Sequence, residues 1–194
     1  MTHQGLNMVT DGHVGGNISE GDPHSFSPST WNYIIERFAI RSVLDIGAGR
    51  GHAAHYFHRA GMQVLAIDGM KENCVNSHYP ILHLDLTKDS ALCSVDLVNC
   101  VEVVEHIEEE FLDNLLTSLC RGRIILMTNA VPGQGGYHHV NEQPTLYWVE
   151  HLAERGCIVS VDDTNRVRKL AEEDGAMHLA RTGIVLVNNN WNKK

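Results

Sequence analysis

VLDIGAGRG, residues 43–51, joins three structural signals in nine positions. An apolar run over 42–46 enters a turn with glycine at Gly47, Gly49 and Gly51, and an apolar-periodic helix follows. A short apolar run that stops at glycine reads as a strand buried on both faces of a parallel sheet. Glycine lets the backbone turn tightly and lets a ligand approach it closely. The helix that follows offers its first N–H groups, which have no partner within the helix. A strand, glycine loop and helix in this order form the ligand-binding corner of open α/β sheets.

On both sides of this unit the pattern alternates. A helix is expected over 28–38, where Trp31, Ile34, Ile35 and Phe38 recur at helical spacing. After the loop come a helix over 51–60, a strand over 63–67, a short helix over 71–77, and strands over 81–84 and 95–101. A helix over 105–119 follows, acidic at its start where the helix dipole favours acid. Then come a strand over 123–128, a helix over 144–155 with Pro144 at its first position, a strand over 157–161, a helical stretch over 164–176 and a strand over 182–188. Such alternation predicts a doubly wound α/β domain with a mostly parallel, seven-stranded sheet. Residues 1–27 read as a loop-rich arm and residues 28–194 as a single domain, a usual size for one core.

Composition narrows the function classes. The net charge is −9, from 15 basic and 24 acidic residues, which counts against a nucleic-acid partner. The dense basic cluster Arg166, Arg168 and Lys169 fits a solvated helix face. No apolar run approaches the roughly 20 residues that a membrane span needs, and the N-terminus has no apolar core of the signal-peptide kind. A cytoplasmic protein is expected. The five cysteines are odd in number and form no C-x-x-C, which argues for free thiols. Nothing in the pattern speaks to oligomeric state.

The loop also carries information about its ligand. Dinucleotide folds use G-x-G-x-x-G with a pyrophosphate on the helix end. Here the spacing is G-x-G-x-G, with His52 at the sixth position, and Asp45 precedes the first glycine by two residues. A carboxylate repels a pyrophosphate and attracts the ammonium of an amino-acid moiety. That favours S-adenosyl-L-methionine (SAM) over a nicotinamide dinucleotide. Asp68, before Gly69 at the end of the second strand, is placed to accept from both ribose hydroxyls. Asp85, in HLDL at 83–86, is placed for the adenine amino group. Any one of these acids could simply cap its own loop. Three at strand ends beside one glycine loop point to a ligand.

These residues resemble the class I SAM-dependent methyltransferase superfamily, with VLDIGAGRG as its first motif, AIDG its second, HLDL its third and DLVNCVEVVEHI its fourth. The flanking GDPHSFSPSTW and HHVNEQPTLYW look like a subgroup of small bacterial and phage-type methyltransferases. The resemblance implies a Rossmann-like fold with an antiparallel last strand. It implies that Asp45 with Gly47, Gly49 and Gly51 holds the methionine part, Asp68 the ribose, and Asp85 with Leu86 the adenine, with Ala48, Gly69 and Val101 also at the cofactor. The product would be S-adenosyl-L-homocysteine (SAH). The expected acceptor is an oxygen or nitrogen of a small molecule, sugar or peptide-like compound. Gly15, Gly16 and Asn17 are expected to fold over the cofactor.

Methyl transfer is an in-line displacement in which the protein mainly aligns groups and excludes water. A base is needed chiefly for a hydroxyl acceptor. Glu102, Glu105 and His106, after the fourth strand, and His139, after the fifth, can converge at one sheet edge. In one reading His106 or His139, with Glu102, orients or deprotonates the acceptor. In another, Glu102, Glu105, His106 and His139 bind a divalent metal, a pattern similar to small-RNA 3′-end ribose 2′-O-methyltransferases. The acidic charge and the occurrence of similar strings in metal-free enzymes disfavour that second reading. Glu105 and His106 could also merely cap and pack. Two further alternatives are a SAM- or nucleoside-binding module without turnover and an NAD-dependent oxidoreductase. His52, His55 and His58 read as mostly exposed, and Trp31, Tyr147 and Trp148 as either an acceptor wall or helix packing.

Overall fold

The computed structural model describes residues 21–191. The expected cover by Gly15, Gly16 and Asn17 lies outside these residues, as does most of the arm. The elements are α1 (Pro28–Phe38), β1 (Ser42–Ile46), α2 (His52–Arg59), β2 (Gln63–Asp68), α3 (Lys71–Val75), β3 (Ile81–His83) and β4 (Val95–Cys100). They continue with α4 (Leu112–Leu119), β5 (Gly122–Met127), α5 (Thr145–Glu154), β6 (Cys157–Val159), α6 (Val161–Asp174), α7 (Met177–Thr182) and β7 (Ile184–Asn188).

The strands form one seven-stranded sheet in the order β3-β2-β1-β4-β5-β7-β6. β1 pairs in parallel with β2 and β4, while β7 runs antiparallel to both β5 and β6. All six residues of β4 are buried, because helices cover both faces of the sheet at its centre. Alternate residues feed two cores. Leu44, Ile46, Val98 and Cys100 pack with Leu115, Leu119, Trp148 and Leu152 of α4 and α5. Val43 and Leu97 pack on the other side with Trp31, Ile34 and Phe57 of α1 and α2 and with Val167 and Leu179 of α6 and α7. Among the described residues no helix is long and apolar enough to cross a membrane.

Several expectations are corrected. The continuous helix over 105–119 is instead two 3-10 turns, Val104–His106 and Glu109–Phe111, followed by α4. The reason lies in carbonyls already taken. The Glu105 carbonyl accepts from the N–H groups of Val140 and Asn141, and the Asn141 side chain donates to the Ile107 carbonyl. The N–H groups of His106, Ile107 and Phe111 bond three residues back instead, to Val103, Val104 and Glu108. β6 stops at Val159, and the helix expected from 164 begins at Val161 behind the N-cap Ser160, with Asp162 and Asp163 in its first turn. The last strand starts at Ile184, because 177–182 forms the short helix α7. Pro144 is the N-cap of α5 and not its first helical residue.

Candidate functional site

A cleft of about 810 Å3 opens at the C-terminal ends of β1, β2 and β4. This is the sheet edge where open α/β folds bind ligands, and the volume suits a cofactor with a small acceptor. The strand order places β1 between β2 and β4, so the glycine loop after β1 sits at the middle of the cleft.

Gly47 has φ +64°, and a Cβ there would lie 2.3 Å from Cγ2 of Val103. Only glycine fits that turn. Gly49 has φ +55°, and nothing lies within 4 Å of the Cβ position, so the backbone faces open cleft. The Gly49 N–H donates to Oδ2 of Asp68 at 2.8 Å. Oδ1 of Asp68 accepts from the Met70 N–H at 2.8 Å and from Asn73 at 3.1 Å. The carboxylate thus ties the glycine loop to the end of β2. Burial raises its pKa against the lowering by these three donors.

Asp45 is 2% exposed and accepts from Nδ2 of Asn99 at 2.7 Å. Burial pushes its pKa up to about 7, against the effect of the Asn99 amide. Asn99 is a partner that the strand pattern could have revealed, since a polar residue interrupts the apolar β4.

The cleft brings together Asp45, Gly47, Ala48, Gly49, Asp68, Gly69, Leu86, Val101, Glu102, His106 and His139 from the expected set. It does not bring in Gly51 or Asp85. Gly51 lies behind the loop as N-cap of α2, its Cβ position 3.2 Å from Tyr79. Asp85 is turned into its own loop: Oδ1 accepts from the Thr87 N–H and hydroxyl, and Oδ2 meets Lys88 at 2.8 Å. Leu84 and Leu86 flank it and carry the cleft wall instead.

At the other end, His106 gives its Nδ1 to the His138 carbonyl at 3.0 Å. A carbonyl only accepts, so Nδ1 carries the proton and Nε2 of the neutral ring is left as an acceptor. Burial lowers the His106 pKa, and the neighbouring His139 and His138 rings lower it further, which favours that neutral form. His138 has φ +54°, the left-handed turn from which its carbonyl reaches His106. The His139 ring stands edge-on to His106 at 5.1 Å, and its Nδ1 meets Oε1 of Glu142 at 3.0 Å. Glu142 also accepts from the N–H groups of Gly133 and Gly135, which secures the loop after β5.

Glu105 is fully buried, and its pKa rises to about 8 through burial and then through the charge of Glu102. Glu105, His106 and His139 offer ligand atoms within 4.8 Å of one another. Glu102 stands outside that group. It has φ +56°, accepts the Thr128 hydroxyl at 2.8 Å through Oε1, and meets Nδ1 of His178 at 3.1 Å through Oε2. His178, from α7, and Asp22, before α1, also line the cleft. His178 carries no sequence signal, because α7 is a short helix far from every motif, and Asp22 stands in the flanking GDPHSFSPSTW without a role of its own there. Trp31 borders the cleft through its contact with Phe26, whereas Trp148 is core and Tyr147 packs beside it. His55 and His58 are exposed and His52 is half-buried against Gly21.

Known proteins agree with this architecture. Residues 44–127 match the family model for a methyltransferase domain. The ubiquinone biosynthesis O-methyltransferase of Acinetobacter baumannii (strain AYE) is 30% identical over 101 residues, which cover 44% of this chain and 43% of that protein. The chain thus spans less than half the length of that relative. The magnesium protoporphyrin IX methyltransferase of Synechocystis PCC 6803, solved with bound SAM, superposes with a TM-score of 0.56 at 15% identity, covering 81% of this chain and 74% of that one. A putative methyltransferase of Haloferax volcanii, solved with its Trm112 activator, gives a TM-score of 0.59 at 16% identity, covering 82% of this chain and 89% of that one. Residues 44–127 are therefore similar to a methyltransferase domain, and the chain has the fold of these two solved methyltransferases.

Proposed function

We propose that this chain is a SAM-dependent methyltransferase that methylates a hydroxyl oxygen of a small-molecule or sugar acceptor. One observation carries the reading: a cleft with Asp45 and Asp68 beside its glycine loop and a neutral His106 at its other end. The residues present fit SAM. Asp68 would accept from the ribose, Asp45 would face the ammonium of the methionine part, Gly49 leaves room for it, and Leu84 and Leu86 supply an apolar wall for the base. When bound, SAM supplies an electrophilic methyl group on a sulfonium, with SAH as the product.

The chain's own residues then have defined tasks. His106 takes the acceptor hydroxyl proton at Nε2 while its Nδ1–H stays on the His138 carbonyl. His139 and Glu142 hold the wall beside it. Trp31 and Phe26 exclude water on the opposite side. Asp22, Asp45, Asp68, Glu72 and Glu102 line the cleft against a single arginine, Arg50. This field favours a cationic cofactor and a neutral or cationic acceptor, and disfavours phosphate-bearing ones. The relative's name as an O-methyltransferase supports oxygen as the acceptor atom. A cytoplasmic setting fits the odd number of cysteines, all free among the described residues.

Transfer in this proposal needs no metal. Glu102 is held by Thr128 and His178, apart from the group of Glu105, His106 and His139, which leaves that group a single carboxylate. Protein treated with EDTA is expected to keep full turnover. Activity restored only by added Mn2+ would instead put an ion on Glu105, His106 and His139.

The function is tested by titration calorimetry with SAM, SAH and NADH on wild type and Asp68→Ala. Binding of both adenosyl ligands, none of NADH, and a loss of at least about tenfold in affinity in the variant is expected. Conversion of SAM to SAH with pooled hydroxylated metabolites, lost in His106→Ala, then separates an enzyme from a binding module. Absence of adenosyl binding at roughly hundreds of micromolar would reject the assignment.

A further inference from the structure

His178 touches two carboxylates at once. Its Nε2 lies 3.0 Å from Oδ2 of Asp22 and its Nδ1 3.1 Å from Oε2 of Glu102. Two carboxylates within ion-pair distance on either side of the ring favour the imidazolium, the form with a proton on each nitrogen. The ring also closes a chain of contacts across the cleft. Glu102 sits in a left-handed conformation at the end of β4 and returns its other oxygen to Thr128 at the end of β5. Asp22 caps the turn Pro23–Ser25 and accepts the Ser25 hydroxyl. Asp174, just before α7, receives the hydroxyls of Ser27 and Ser29, which holds the same segment against the same corner. His24 stands edge-on to His178 at 6.1 Å and contacts the Gly175 carbonyl.

From this geometry we propose that His178 is a positioning residue of the methyl-transfer site: an imidazolium bridge that fixes Glu102 on the cleft wall and draws the Asp22 segment over the cleft. The inference rests on the reading of the cleft as a methyl-transfer site. Without the bridge, Glu102 keeps only Thr128, and its strained backbone has less to hold it in place. Two carboxylates would then face each other across the gap that the ring now fills. The Asp22 segment would keep Asp174 as its anchor, so the fold survives while the cleft wall loosens.

The bridge itself is read without activity, by 15N NMR of the His178 ring in ligand-free protein. Both nitrogens are expected to carry protons. In Asp22→Asn the new amide can donate to Nε2, so a neutral His178 keeps both contacts. Its Nε2 is then expected to shift to the unprotonated signature. Calorimetry with SAH supplies the second readout. His178→Ala and Asp22→Ala are expected to weaken SAH about tenfold, and Asp22→Asn to remain within about twofold of wild type. A wild-type ring with one bare nitrogen overturns the bridge. Equal losses in Asp22→Ala and Asp22→Asn overturn the positioning role even if the bridge exists. If wild type binds no SAH, the methyltransferase reading fails, while the NMR result still decides the bridge. Should His178→Ala fail to fold, the two Asp22 variants carry the same test.

Discussion

Asp45 on β1 and Asp68 at the end of the neighbouring β2 are set different tasks by their surroundings. Asp68 has three donors and a structural duty to the glycine loop. Asp45 has the Asn99 amide and a pKa pushed to about 7 by burial. A cationic group bound beside Asp45 favours its ionised form, so binding of SAM near neutrality should release protons. Affinity should rise with pH through about 7 and level off above it. Calorimetry in buffers of different ionisation enthalpy reads the proton release, and Asp45→Asn should abolish it. Glu105 gives a second residue-level prediction. Its folded pKa of about 8 lies above the ordinary 4.5, so the folded protein keeps this proton longer than the unfolded chain does. Its contribution is therefore intact below about pH 4.5, falls as pH rises through about 8, and is flat beyond. Relative to wild type, Glu105→Gln should gain stability across that window, on the order of a few kcal/mol, as read by denaturant unfolding at several pH values. The strand-end acids were legible in the sequence because each stands at the end of an apolar run. Asp85 shared that signature yet turned into its own loop, since Thr87 and Lys88 supply partners close at hand. The pairing of Asp22 with His178 was not legible, because it spans most of the chain and His178 belongs to no motif.

The glycine loop between β1 and α2 shows what an element demands of its residues. Gly47→Ala should be destabilising, about 1–3 kcal/mol, because the methyl group would enter Val103 while the backbone stays left-handed. Gly49→Ala should cost only about 1–2 kcal/mol of backbone strain, since its methyl would meet open space. That methyl projects into the cleft, so this variant is expected to fold and yet lose SAH affinity. Chemical denaturation paired with calorimetry distinguishes the two outcomes. The strands were readable from apolar runs, since burial on both faces leaves little choice of residue. The segment 104–111 was not. Its acidic start and apolar spacing fit a helix, but the loop at 138–141 competes for its carbonyls. Local pattern cannot register a partner more than 30 residues away. α7 escaped notice for the opposite reason, being too short for periodicity to show.

At the scale of the whole molecule, the cleft joins three strand ends, the loop after β5, the segment before α1 and the start of α7. A ligand that touches all of these should stabilise the folded state as a unit. SAH at about 100 times its dissociation constant is expected to add about 2.7 kcal/mol. That corresponds to a rise in melting temperature of about 5–10 °C for a chain of this size, as read by differential scanning calorimetry. The sheet order carries a consequence for how the chain is born. β1 to β4 are hydrogen-bonded to one another through the first half of the chain, so the cofactor half of the sheet can assemble as it leaves the ribosome. β6 has no strand neighbour except β7, which is made after it and slots between it and β5. Until residue 188 emerges, the nascent sheet stops at β5, with β6 waiting unpaired in the growing chain. The ligand-binding corner is thus built early in translation, and the edge that closes the sheet is sealed afterwards by a strand arriving from behind.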